Sequence, residues 1–350
     1  MKRKRSKSKK IIPLIIFLLV LIGLFLGGYF FLRKPSSSNH HSNSNSIKEE
    51  EKPQLKILDL NSKSRSIAVM INNLKVAQPY QTGLNDAYLV YEIITEGGIT
   101  RLLAVYKDAK DTTTIGTIRS SRHYFIDYAV ENDAIYTHFG YSNKAKEDIS
   151  RRHIDNINGL VDDNFYWRDK SLPVASEHTV YTNISKLQET ITNKKYRNTT
   201  TEKPLLSYSV DPIDLTTKED SIPASNVLIK FSNYQTTEFT YDPETKLYTR
   251  KSNNEVRSDY LTKEPFTTKN ILTYQIKNYS YDSYGRQELE NIGRGEGYYI
   301  TNGYALKINW EKSSEDAKTK YTYPDGSEVI FNDGETYIEI QPQDQTLTLS

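Results

Sequence analysis

The stretch "AYLVYEIITEGGITRLLAVYKD", Ala87 to Asp108, decides the architecture. Its first half, "AYLVYEIIT", is apolar at nearly every position and has no face to show to water. Such a strand belongs in the middle of a sheet covered on both sides. "EGG", Glu96 to Gly98, is a tight connection, and "TRLLAVYKD" then returns as the second arm of a hairpin. Working outward, "SIAVMINN" (Ser66 to Asn73), "TIGTI" (Thr114 to Ile118) and "DAIYTHFG" (Asp133 to Gly140) read as further strands. "SRHYFIDYAVEN" has apolar or aromatic side chains at 124, 125, 128 and 129, a helical spacing. "SNKAKEDISRR" and "NISKLQETITNKKY" read as helices too. Residues 55–200 are therefore expected to form an α+β unit, a mixed sheet layered with helices.

After a linker at 201–225 the pattern changes. From about Asn226 to 345 strand follows strand, with turn chemistry at "YDPETK", "ITNGYA", "YPDGSE" and "FNDGET". Asn302-Gly303 is the strongest hairpin signal, because both central residues of a type I′ turn need positive φ. An antiparallel β-rich domain is expected here. "GRGEG", Gly293 to Gly297, has phosphate-loop spacing but leads into a strand and lacks the Lys-Ser/Thr pair, so it reads as a bulge or turn.

The N-terminus carries a different message. Residues 1–10, "MKRKRSKSKK", hold seven positive charges, and residues 11–32 form an unbroken apolar run. As a helix that run rises roughly 33 Å, enough for a hydrocarbon core of about 30 Å. A single-pass transmembrane helix is expected, with its basic end in the cytoplasm and the domains outside the cell. Residues 33–54, rich in Ser, Asn and Glu, are expected to form a disordered tether. Residues 1–34 contain nine of the 46 basic residues and none of the 44 acidic ones, so the remainder carries 37 basic against 44 acidic groups, net −7. That balance excludes nucleic acid as a partner of the outer part.

The runs "AVMINN", "GLNDAYLVYEIITEGGITRLLAVY", "IGTIRSSRHYFIDYA", "DAIYTHFG", "FYWRD" and "HTVYTN" resemble the N-terminal domain of the YerB-like lipoproteins. "GRGEGYYITNG" through "DGETYIEIQP" resembles that family's C-terminal β domain. The resemblance implies an extracytoplasmic, membrane-attached protein of mostly Gram-positive bacteria, and implies no established activity. Family members are typically held by a lipidated cysteine. This chain has no cysteine, and the expected transmembrane helix takes that place.

Candidate site residues cluster in "IGTIRSSRHYFIDYA", Ile115 to Ala129. If a strand gives way to a helix here, Ser120 or Ser121 is the expected N-cap, and Arg119, Arg122 and His123 stand at a positive helix terminus. Two guanidiniums there suit a phosphate or carboxylate. Glu92, Glu96 and Arg101 offer the other reading, an internal ion-pair network that consumes the same arginines. His138 and His178 flank strands and are the candidate general bases. No HxH, HExxH or HxxxH spacing occurs, so no metal is expected, and no cofactor either. Trp167 and Arg168, in "NFYWRD", serve either as a sugar-stacking platform or as an interface anchor.

Without cysteine there is no thiol chemistry, and without GxSxG no nucleophile elbow. The expected function is that of an anchored envelope protein that binds an anionic wall polymer, a lipid-linked precursor or a partner protein. The alternative is an envelope-glycan or phosphodiester-processing enzyme built on Arg119/Arg122 and His138/His178.

Overall fold

The computed structural model describes residues 54–350. These residues belong to one compact unit. The hairpin read from sequence is its centre. Leu89–Ile94 and Thr100–Tyr106 pair antiparallel, are buried along their whole length, and are joined by the short turn Glu96–Gly98. Ile67–Asn72 pairs antiparallel with Thr100–Tyr106, and Ile135–His138 and Asn156–Asn158 add parallel strands beyond it.

On its other side Leu89–Ile94 pairs in parallel with Thr336–Pro342, which comes from near the C-terminus. Thr336–Pro342 pairs in turn with Asn270–Ile276, again in parallel. The antiparallel pair Gly293–Thr301 and Tyr304–Lys312 completes that half. One eleven-stranded sheet therefore runs through both halves of the sequence. Asn302 and Gly303 turn the last hairpin with φ of 52° and 81°, as its Asn-Gly signature requires.

The fold-class expectation is corrected by this sheet. The α+β layer followed by an antiparallel β-rich domain is instead a mostly β structure with three α-helices among the described residues, His123–Glu131, Asn143–Arg151 and Ile184–Asn193. The expected transmembrane helix at 11–32, the basic tail 1–10 and all of the tether but Gln54 lie outside the described residues. No helix among the described residues is long and apolar enough to cross a membrane. "GRGEG" is likewise not a turn. It opens the strand Gly293–Thr301, and a Cβ at Gly295 would come within 2.8 Å of the Trp310 indole nitrogen.

Alternation along the strands sorts the core into two layers. Leu89, Tyr91, Leu103 and Ile338 face His123–Glu131, which buries Tyr124, Phe125 and Tyr128 against them. Val90, Leu102, Ala104 and Tyr337 face a second, antiparallel sheet that includes Asn226–Lys230, Thr236–Asp242 and Leu247–Ser252. Burying each such aromatic or aliphatic side chain contributes roughly 1.5–3 kcal/mol. That layering explains why the opening stretch has no polar face.

Candidate functional site

Seven strands of the large sheet run in one direction: Ile67–Asn72, Leu89–Ile94, Ile135–His138, Asn156–Asn158, Asn270–Ile276, Tyr304–Lys312 and Thr336–Pro342. Their carboxyl ends, where ligand sites of parallel sheets form, therefore share one edge of the molecule. The segment Ile118–Ser121 lies across that edge. Arg119 N donates to Met70 O, Phe139 N donates to Arg119 O, and Ser121 N donates to Gly140 O.

Most of the sequence-predicted residues meet here, with partners of their own. Glu96 accepts from Arg122 Nε at 2.9 Å, also from Arg122 Nη2, and from Arg101 Nη2 at 2.8 Å. Burial opposes the Glu96 carboxylate, but the hydrogen bonds and charges of Arg122 and Arg101 outweigh it and bring the carboxyl down to about 2. Arg119 pairs instead with Glu177, donating to Oε1 at 2.9 Å. That contact holds Glu177 below the ordinary carboxylate value.

The helix cap differs from expectation. Arg122, not a serine, is the N-cap of His123–Glu131, and its guanidinium has no acceptor to offer the free amides. Ser121 Oγ, one residue earlier, accepts from Tyr136 OH at 2.8 Å. Ser120 contributes its carbonyl, which accepts from Arg101 Nη1 at 2.6 Å. His123 reaches Glu288 at 3.2 Å, and its pKa is lowered by burial against the opposing pull of that carboxylate.

The histidines are tied down individually. His138 has no solvent exposure, its Nδ1–H donates to Gly140 O at 2.8 Å, and burial lowers its pKa to about 4. His178 Nδ1 accepts from Asn72 Nδ2 at 2.9 Å, and burial together with the Arg119 charge lowers its pKa. Trp167 stacks on Tyr181, and Arg168 lies over the Phe139 ring at 4.8 Å. Glu92 turns to the opposite face of the sheet and pairs with Arg250 at 2.7 Å. Among the described residues no group of three His, Asp or Glu side chains is arranged to hold a metal ion.

Sequence reasoning missed the aromatic rim of this edge. The strand Asn270–Ile276 runs directly into a small hairpin, Asn278–Ser280 paired with Gln287–Leu289, which displays Tyr279 at 50 % and Tyr284 at 77 % exposure. Lys144 sits over the Tyr281 ring at 4.1 Å, and Arg286 lies over Tyr284 at 4.9 Å. The tip residue Gly285 lies close to Gly97. On the other side of that turn, Gly98 adjoins Ser232 and Tyr234, and Tyr234 is 75 % exposed. The signal was present in "YSYDSYGR" (Tyr279 to Arg286), where tyrosines surround an Asp-Ser-Tyr-Gly turn.

The model for the family described as protein of unknown function (DUF3048), N-terminal domain, matches residues 55–197, and that for its C-terminal domain matches residues 226–338. The chain belongs to this family. It is 30% identical over 294 residues to the Bacillus subtilis (strain 168) protein named "Putative lipoprotein YerB", a match covering 82% of this chain and 84% of that one. The crystal structure of YerB protein from Bacillus subtilis superposes with a TM-score of 0.72 at 27% identity, covering 85% of this chain and all of that one. Within the family fold, the pairing of Leu89–Ile94 with Thr336–Pro342 joins the two matched segments, and the described edge lies at the carboxyl end of that pair.

Proposed function

We propose that this protein is an extracytoplasmic, membrane-associated envelope protein that binds an anionic wall polymer at the carboxyl edge of its large sheet. The location follows the lipoprotein naming of the Bacillus subtilis relative. One observation carries the binding reading: exposed Tyr234 and the hairpin bearing Tyr279 and Tyr284 bracket the Glu96–Gly98 turn, with Arg119, Lys144 and Arg286 around it. Tyrosine rings stack on sugar faces, and guanidinium and ammonium groups take phosphate or carboxylate. A polymer that alternates the two would use both. Binding is favoured over catalysis because His138 is sealed and His178 is held by Asn72.

The test is co-sedimentation of the purified protein with cell walls, intact or stripped of their anionic polymer. Tyr234→Ala/Tyr284→Ala should weaken binding about tenfold, since each stacked ring contributes roughly 0.5–1.5 kcal/mol. Salt should weaken it further. Equal binding to stripped walls would overturn the reading.

A further inference from the structure

Glu96 is unusual among the acids of this edge in the company it keeps. One carboxylate serves two guanidiniums, and both are nearly sealed: the Arg101 and Arg122 side chains are 5 % and 10 % exposed. The Glu96 side chain is the accessible member, at 25 %. Every guanidinium contact other than those to Glu96 is to a neutral backbone carbonyl, Ser120 O for Arg101 and Ser121 O for Arg122. The pair therefore carries a surplus positive charge. Burial, reinforced by the Arg122 charge, pulls the Arg101 pKa down to about 10, with Glu96 opposing.

Two independent features add to that surplus. The nine-residue helix His123–Glu131 begins at Arg122 with no side-chain cap, so its amide dipoles point to the same place uncompensated. Arg286 also lies close enough to Glu96 to interact with it electrostatically.

The carboxylate is mounted so that it can leave. Thr95 N donates to Ile99 O at 2.7 Å and pins the base of the loop, while Gly97 and Gly98 both sit at φ 71°. Among the described residues nothing lies within 4 Å of where a Gly97 side chain would stand. Glu96 can swing out by side-chain rotation, leaving Arg101 and Arg122 where they are.

We infer that Arg101 and Arg122 form an oxyanion site for a phosphate or carboxylate group, which the protein's own Glu96 fills as an internal stand-in. The planar carboxylate of Glu96, bound through Nε and Nη2 of Arg122, has the fork geometry that a phosphate oxygen pair would adopt. Glu96 thus acts as a competing tethered ligand, present at an effective concentration on the order of millimolar. A ligand engaging the surrounding tyrosines as well would displace it at lower concentration than phosphate alone. This inference rests on the binding face proposed above and adds the group that the face receives.

Thermal unfolding of the purified protein, titrated with inorganic phosphate against chloride of matched ionic strength, tests it. Glu96→Ala should lose several degrees in chloride and regain them saturably in phosphate. Its phosphate midpoint should be at least about tenfold lower than that of the unaltered protein. Glu96→Ala/Arg122→Gln should show no saturable response. If Glu96→Ala fails to fold, Glu96→Gln keeps the local shape and gives the same readout. Identical responses to phosphate and chloride in the Glu96 variants, or an undiminished response in the double variant, overturn the inference. Glu96→Gln is then offered anionic phospholipid vesicles and a soluble phosphodiester polymer. Binding to either that is competed by phosphate supports the site and names the source. A variant that responds to phosphate but binds neither supports the site and refutes the polymer reading.

Discussion

Glu92 and Glu339 stand opposite each other across the parallel pair Leu89–Ile94 and Thr336–Pro342, and neither has any solvent exposure. Their environments are unequal. Glu92 accepts hydrogen bonds from Asn73, Thr100, Thr237 and Arg250, while both Glu339 oxygens lack a partner. Burial and the neighbouring Glu92 charge push the Glu339 carboxyl well above the ordinary range, against the pull of Arg250. The sheet that joins the two family segments therefore carries, side by side, one glutamate bonded to an arginine and one whose carboxyl is pushed towards its neutral form.

Replacing Glu339 should be harmless at low pH and stabilising at high pH. Because the folded state raises the Glu339 pKa, its contribution is fully present below about pH 4.5 and is lost as pH rises through the folded value. Glu339→Gln keeps the shape and removes the titration. Urea unfolding at pH 4, 7 and 9 should give nearly equal midpoints for both proteins at pH 4 and a widening advantage for Glu339→Gln above it. Parallel pH curves would refute the assignment.

Arg250 is the cation on Glu92, fully buried, with Nε and Nη1 unpartnered. Arg250→Met would strand a buried carboxylate and should cost about 3–5 kcal/mol, read as a fall in urea midpoint. Adding Glu92→Gln should recover most of that loss, since the stranded charge is then gone. If the double variant is as unstable as the single one, packing and not charge is what Arg250 provides.

These two glutamates also mark where the sequence stops being legible. The hairpin Ala87–Asp108 could be read because its pattern is local: an apolar run, a Gly-Gly turn, a second run. That Thr336–Pro342 lies beside it could not, since pairing between distant strands leaves no mark in either one. Glu339, in "YIEIQP", has the alternation of a half-exposed strand, yet the second sheet covers it. At the edge, the arginines were legible as a strand-to-helix passage, and Glu96 as a partner. The serine cap was misread because the helix starts one residue later than the pattern suggests, which puts Arg122 at the N-cap and leaves Ser121 to Tyr136. Glu92 was placed with the wrong arginine, since alternation puts it with Val90 and Ile94 on the face that meets the second sheet, while Glu96 lies past the end of the strand in the turn.

Docking of the tyrosine hairpin depends on Glu288, which meets both His123 and Lys144. Both contacts are partly exposed, so Glu288→Ala should lower global stability by no more than about 1 kcal/mol. Its effect should be local. Amide exchange across residues 278–289 should quicken severalfold while the central strands keep their protection. Unchanged exchange in the hairpin would show that Tyr281 and its neighbours hold it without the ion pair.

Acid should loosen the carboxyl edge in two stages, and the groups responsible can be separated. His138 falls from an ordinary 6.5 to about 4 in the folded protein, chiefly by burial, and Glu96 falls from 4.5 to about 2 under Arg122 and Arg101. Both folded values are depressed, so both contributions are present at neutral pH and lost on acidification. The His138 share, about 3 kcal/mol, fades between pH 6.5 and 4. The Glu96 share, about 2 kcal/mol once its partial exposure is allowed for, fades between pH 4.5 and 2. Unfolding free energies measured from pH 7 to pH 3 should therefore fall along both limbs in the unaltered protein. Glu96→Gln should flatten only the lower limb and His138→Asn only the upper one. A His138→Asn protein that retains the slope between pH 6.5 and 4 would move that titration to His123 or His178, whose pKa values are also lowered by burial.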